Sequence, residues 1–179
     1  MPQDDLIADA VRAHYVAHWG QNEGIVMRSG STEVVIHEWS LGVVRPGVVA
    51  YSTSGILDVP RSGHLREFIM LLTEPRNEIA NSLADLWVTG TTASIGHGTT
   101  IGHGDPLWPG TEMTNYLVMS QESLLHPLAI NRATHVTFYR AIPVYDSEVE
   151  LKRKDGLDAL LAVWREKRVP FWNPTRANA

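Results

Sequence analysis

Two histidines and an aspartate stand in one glycine-dense run, Ser94–Thr114, which reads SIGHGTTIGHGDPLWPGTEMT. Imidazole and carboxylate are ligands suited to zinc or iron. If the two IGHG copies fold back on each other, His97, His103 and Asp105 converge on one ion. That arrangement makes a metal-dependent enzyme one reading of the chain. The same run supports a second reading. Threonines beside glycines are short, adaptable donors, Asp105 supplies a fixed charge, and Trp108 between Pro106 and Pro109 is a rigid aromatic of the kind that anchors interfaces. Thr99, Thr100, His103, Asp105 and Trp108 are therefore candidate partner-binding residues. Plainer roles compete with both readings: glycine-flanked histidines bond the backbone of their own turns, and Trp108 equally suits a core.

Other chemistry finds little support. There is no GxSxG elbow for a nucleophilic serine, and Thr53-Ser54-Gly55 has no neighbouring pattern that would make it one. No GxxxxGK[ST] phosphate loop is present. His14 and His18 lie four apart on one helix face, a spacing able to hold a metal, but without the glutamate of HExxH. The remaining histidines are scattered singly. No catalytic residue is assigned, and no cofactor or resident metal is expected.

The chain has 179 residues, 44% hydrophobic and 20% charged, with a formal net charge of -5. The length suits one domain with a sizeable core over residues 1–179. The negative charge makes a nucleic-acid backbone a poor partner. Cysteine is absent, which removes disulfides, thiolate zinc sites and cysteine nucleophiles together. No signal peptide or membrane-length apolar run is evident, so a soluble, cytoplasmic protein is expected, monomeric or homodimeric.

The elements that must position these residues follow from the apolar period. Helices are expected near 4–19, 76–89 and 155–168, and strands near 34–41, 47–52, 65–73, 114–119 and 134–142. The glycine-rich run holds a short strand or two between tight turns. A hairpin turn is expected near Arg45-Pro46-Gly47. Gly20 and Gly90 close the first two helices. LREFIMLLT reads as a central strand, with Arg66 and Glu67 exposed or paired at its edge-facing start, because an unpaired buried charge costs several kcal/mol. Pro143 ends the strand at 134–142. Asp146, Glu148 and Glu150 then emerge beside the glycine-rich stretch.

The second half also carries an ordered set of pieces: TSG (53–55), REFIMLL (66–72), a leucine- and tryptophan-rich helix, GHGTTIGHGDPLWPGT (96–111), a strand, HVTFYRAIPVYDSEVE (135–150) and KDGLDALLAVW (154–164). Their order and spacing resemble the Suppressor of Fused-like domain, over roughly residues 35–176. Each piece is moderately specific, and the ordered set much more so. The resemblance implies an α+β fold, a mixed, largely antiparallel sheet with helices packed on it. In eukaryotic members this domain joins a second one, and the pair clamps an extended peptide of Gli-type transcription factors by strand addition. This chain is too short for that second domain, so the Gli role does not carry over. Stand-alone bacterial members are proposed to be immunity proteins that neutralise toxin domains. High arginine and low lysine usage is compatible with a GC-rich bacterial genome. No catalytic residue transfers from the family. The expectation is a non-enzymatic, protein-binding domain, with the His97–His103–Asp105 metalloenzyme as the alternative.

Overall fold

The structure, a computed structural model, describes residues 3–21, 24–29, 32–41, 47–55, 64–92, 94–120 and 124–179. Its elements in chain order are α1 (Gln3–Trp19), β1 (Gly24–Ser29), β2 (Thr32–Ser40), β3 (Val49–Gly55), β4 (His64–Leu72), α2 (Ile79–Thr92), β5 (Thr100–Gly102), β6 (Asn115–Ser120), β7 (Leu128–Ala129), β8 (His135–Val144), α3 (Asp146–Asp155) and α4 (Leu157–Glu166). The strands form one sheet in the order β1-β2-β3-β4-β8-β6-β5, with β7 beside the start of β8. The β4–β8 pair is parallel and the other described pairs are antiparallel. The α+β class and the mixed, largely antiparallel sheet are as the sequence predicts.

Both faces of the sheet are covered, which explains the unbroken apolar run of β4. Phe68, Met70 and Leu72 pack with Leu83 and Trp87 of α2. Ile69 and Leu71 alternate to the other face and meet Val11 and Tyr15 of α1, with Trp39 and Phe138. On the face shared by α1, the far end is filled by α3 and α4, where Leu160 and Trp164 pack on Leu117, Ile142 and Val144. Residues of a strand point alternately to its two faces, so a strand buried on both has no polar positions to spare.

Four expectations need correction. Gly90 does not stop α2. It lies inside the helix, where a Cβ would stand 2.9 Å from the Phe68 ring, so the glycine permits close packing of helix on sheet. Pro143 does not end β8, which runs to Val144. In the β6–β8 ladder, residues 140, 142 and 144 bond across to β6, while 143 turns its main chain away. On that side the β4 pairing has already ended at Ile69–Arg140, so the missing N–H leaves no ladder bond unmade. The charged segment after Tyr145 is the helix α3, separated from α4 by Gly156 at φ 93°. Glu67 is hydrogen-bonded, one of the two outcomes expected, but not at an edge-facing end: it is 4% exposed in the middle of the sheet.

The fate of Glu67 accounts for the TSG motif. β3 and β4 pair from Val49–Leu72 to Ser52–Ile69 and then part. Side chains complete the ladder beyond that point. The Thr53 hydroxyl donates to one Glu67 oxygen, the Gly55 N–H donates to the other at 3.2 Å, and Thr53 Oγ1 accepts from the Phe68 N–H at 2.9 Å. Burial pushes the Glu67 carboxyl up to about 8, although the Thr53 and Gly55 hydrogen bonds act in the opposite direction. Gly55 has a second duty, since a Cβ there would lie 2.0 Å from the Trp87 ring.

The remaining expectations stand close to what is found. Helix α1 ends as predicted, with Gly20 at φ 94° and its N–H bonded to Val16 O at 2.9 Å. β2 and β3 form the expected antiparallel pair. Arg45 and Pro46 of their connecting turn lie outside the described residues, and Gly47 is in a turn at φ 76°. Strands β1 and β7 were not expected from the sequence.

Candidate functional site at the β5 edge

The two IGHG copies do not fold back on each other; they run in succession along β6. Val118 N–H donates to Thr99 O at 2.8 Å, and His103 N–H donates to Thr114 O at 2.8 Å. His97 meets the opposite end of β6, where its Nδ1 accepts from the Ser120 N–H at 3.1 Å. Six residues of strand, about 20 Å, separate Thr114 from Ser120. His97, His103 and Asp105 therefore do not converge, which corrects the metal-site expectation. Among the described residues no group of three or more metal-ligating side chains is placed to hold an ion.

The same register defines what β5 offers. Residues 99, 101 and 103 turn their main chain towards β6, so Thr100 and Gly102 turn theirs away. β5 is the last strand of the sheet, and no described strand lies beyond it. Two N–H groups and two carbonyls thus face outward at an edge, the arrangement that accepts an added strand. On one side of this edge Ile101 and Tyr116 face α2, and with Asp85, Thr89, His103 and Asp105 they line a cleft of about 380 Å³. His103 lies across it: Nε2 is 3.3 Å from Asp85 Oδ2, and Nδ1 is 3.1 Å from the Asp105 carbonyl oxygen. At the cleft floor the Tyr116 and Ser82 hydroxyls bond at 2.7 Å, and burial pushes the Tyr116 phenol well up.

On the other side the edge faces α3. Lys152 Nζ donates to Thr100 Oγ1 at 3.4 Å. Its ammonium is held below the usual lysine range, first by desolvation and then by Arg153. At the Gly102 end, Asp146 Oδ1 accepts from Thr114 Oγ1 at 2.8 Å and Asn115 Nδ2 at 2.6 Å, and these two bonds depress its carboxyl. The acidic segment does emerge beside the glycine-rich stretch, as predicted, but only Asp146 meets it. Glu148 is turned inward.

Of the candidate residues, Thr100, His103 and Asp105 gather at this edge. Thr99 is engaged in its own turn, with its N–H on Gly96 O and its Oγ1 accepting from Gly96 N–H, both at 3.0 Å. Trp108 is 3% exposed and packs with Leu107 and Met113 in the α2-side core. Its indole is thus not an open face, because the turn at 106–111 folds it under the sheet edge. Sequence reasoning missed Asp85, Gly102, Tyr116 and Lys152, which come from four separate elements and share no local pattern.

Helices cover both faces of this mixed α+β sheet, and β5 is its last described strand. The model of the Suppressor of fused protein (SUFU) family matches residues 35–177. The chain belongs to that family. No curated protein sequence matches it. A SUFU homologue from Neisseria gonorrhoeae superposes with a TM-score of 0.76 at 16% identity, covering 97% of each chain. A chain of a Sufu-Fu complex gives 0.69 at 17% identity over 99% of this chain and 92% of that one. Drosophila Suppressor of Fused gives 0.68 at 16% identity, with 97% of this chain matching 50% of the insect protein. No described helix is long and apolar enough to cross a membrane.

Proposed function

We propose that the chain is a non-enzymatic protein-binding domain that takes an extended segment of a protein partner along β5. The observation that carries this reading is the outward main chain of Thr100 and Gly102 at the end of the sheet. Strand addition draws its affinity from such groups and its specificity from the pockets beside them. The crystal structure of a SUFU family member in complex with Fu supports a partner of protein type. The partner we propose is a toxin domain, which the chain neutralises in the cytoplasm as an immunity protein without turning over a substrate; this rests on the resemblance to bacterial SUFU-like proteins.

The test is a proline at Gly102. It deletes an outward N–H and leaves the inward bonds of Ile101 and His103 in place. The partner purified by affinity capture from the native host is expressed with either form of the chain. The wild type is expected to hold the partner stoichiometrically and to restore growth where the partner is toxic, and Gly102→Pro is expected to lose both. Retention by the proline variant overturns edge docking. A stoichiometric divalent metal in the purified protein overturns the non-enzymatic assignment, and a light-scattering mass of two chains that Gly102→Pro reduces to one assigns the edge to self-association.

A further inference from the structure

The open edge has aspartates lining its α2 side and Lys152 beside Thr100 on its α3 side, and this bears on the sequence of whatever docks there; the inference rests on the edge-docking reading above. Ile101 points to the α2 side, where Tyr116 lies, while Thr100 and Gly102 point to the α3 side. The α2-side cleft is lined by Asp85 and Asp105, with His103 Nε2 on the Asp85 carboxylate and Nδ1 on the Asp105 main-chain oxygen, and among the described residues that line it there is no lysine or arginine. The α3 side carries Lys152, 3.4 Å from Thr100 Oγ1. Asp146 lies further along that side, at the Gly102 end, where its carboxylate accepts from Thr114 and Asn115.

A strand laid against β5 sends successive side chains to opposite faces. The residue across from Ile101 looks into the acidic cleft, and the neighbour across from Thr100 stands over Lys152. We propose that the docking segment carries adjacent acidic and basic residues at this point, an Asp or Glu over Lys152 and a Lys or Arg over the Asp85–Asp105 cleft. A cleft of about 380 Å³ is within the range that holds a ligand group. Like charges placed on either face would repel, so the pair sets the register and excludes wrong segments. Net charge alone makes a different prediction. A chain carrying -5 attracts a doubly basic segment most strongly.

Three end-blocked peptides of nine residues separate these ideas. Each has valine and threonine flanks, and the central pair is Glu-Lys, Ser-Ser or Lys-Lys. Binding is read by calorimetry and by the amide shifts of Thr100 and Gly102. The Glu-Lys peptide is expected to shift both amides and to bind ~10-fold tighter than either other peptide, the gain of half-buried ion pairs. Asp85→Asn with Asp105→Asn, or Lys152→Met, is expected to remove most of that advantage. If the peptides shift both amides with equal affinity, or Lys-Lys binds best, the charge inference falls and edge docking stands. If no peptide shifts either amide, edge docking itself falls and takes this inference with it.

Discussion

Arg176 and Glu148 meet as a two-pronged ion pair, Nη1 to Oε1 at 2.9 Å and Nη2 to Oε2 at 2.6 Å, with side chains 0% and 1% exposed. Other groups bond to both partners, although the buried Arg176 Nε has no hydrogen-bond partner among the described residues. Glu148 also accepts from Trp164 Nε1 and from the Tyr145 N–H, both at 2.9 Å, and Arg176 donates to Pro143 O at 3.0 Å. It ties the C-terminal segment to α3, α4 and the end of β8. Arg176→Ala leaves a buried carboxylate without its cation, so a loss of about 3–5 kcal/mol is expected in urea denaturation. Arg176→Lys should recover little, because a point charge cannot match both oxygens. Replacing both partners, Glu148→Gln with Arg176→Met, should cost less than Arg176→Ala alone. A loss below about 1 kcal/mol for Arg176→Ala would show the pair to be incidental.

Glu67 makes stability depend on pH in a direction opposite to most carboxylates. In the fold, burial pushes its carboxyl from an ordinary 4.5 up to about 8. Between those values the folded chain keeps a proton that the unfolded chain has lost, so unfolding releases a proton and stability falls as pH rises. His37 acts oppositely. Burial, and then the Arg12 charge, lower it to about 4, so its contribution rises with pH and levels off about one unit above its ordinary 6.5, as does that of His14, which burial also lowers. The window from about pH 7.5 to 8.5 therefore isolates Glu67 from these histidines. Wild-type stability should decline across it, and Glu67→Gln should flatten the decline. A wild-type profile as flat as the variant's would mean the carboxyl is ionised in the fold.

The apolar period marks α1, β4 and the α+β class because it reports burial directly. What it does not report is the partner across a contact. Gly90 looks like a stop signal until Phe68 is seen against it, and Pro143 looks like a strand end until the neighbouring ladder is seen to have finished. The burial of Glu67 is not legible because its satisfying donors, Thr53 and Gly55, lie 14 and 12 residues away on another strand. At the candidate site, Thr100, His103 and Asp105 are legible as polar groups in a glycine-rich run. Asp85 and Lys152, which flank the edge on its two sides, are legible only once α2 and α3 are placed beside it.

Trp108 illustrates how an aromatic in a turn-rich stretch is read two ways. Buried with Leu107, Met113 and Tyr116, it is a core residue. Trp108→Ala is expected to cost roughly 3–5 kcal/mol, the range for emptying a buried aromatic site. Trp108→Phe should cost clearly less. Thermal melts of both variants check this. An alanine variant with an unchanged midpoint would return Trp108 to the surface, and with it the hot-spot role.

Gly55 and Trp87 form a contact that a methyl group would break. A Cβ at residue 55 falls 2.0 Å from Trp87 Cζ2 and 2.5 Å from Cη2, on a ring that is 1% exposed and held between α2 and the sheet. The ring cannot yield without moving the helix. A shift of the strand instead would lengthen the Gly55 N–H bond to Glu67, now 3.2 Å, and loosen the split between β3 and β4. Gly55→Ala is therefore expected to destabilise by about 1–3 kcal/mol, the usual cost of overpacking. Trp87→Phe removes the atoms that clash and, alone, leaves a void. The double variant should be more stable than the sum of the two single losses, because the methyl enters the space the indole vacates. Urea denaturation of the four forms measures that coupling. Strict additivity would mean that strand movement, not the indole, absorbs the methyl, and Glu67 would then lose its Gly55 bond in the single variant and in the double alike.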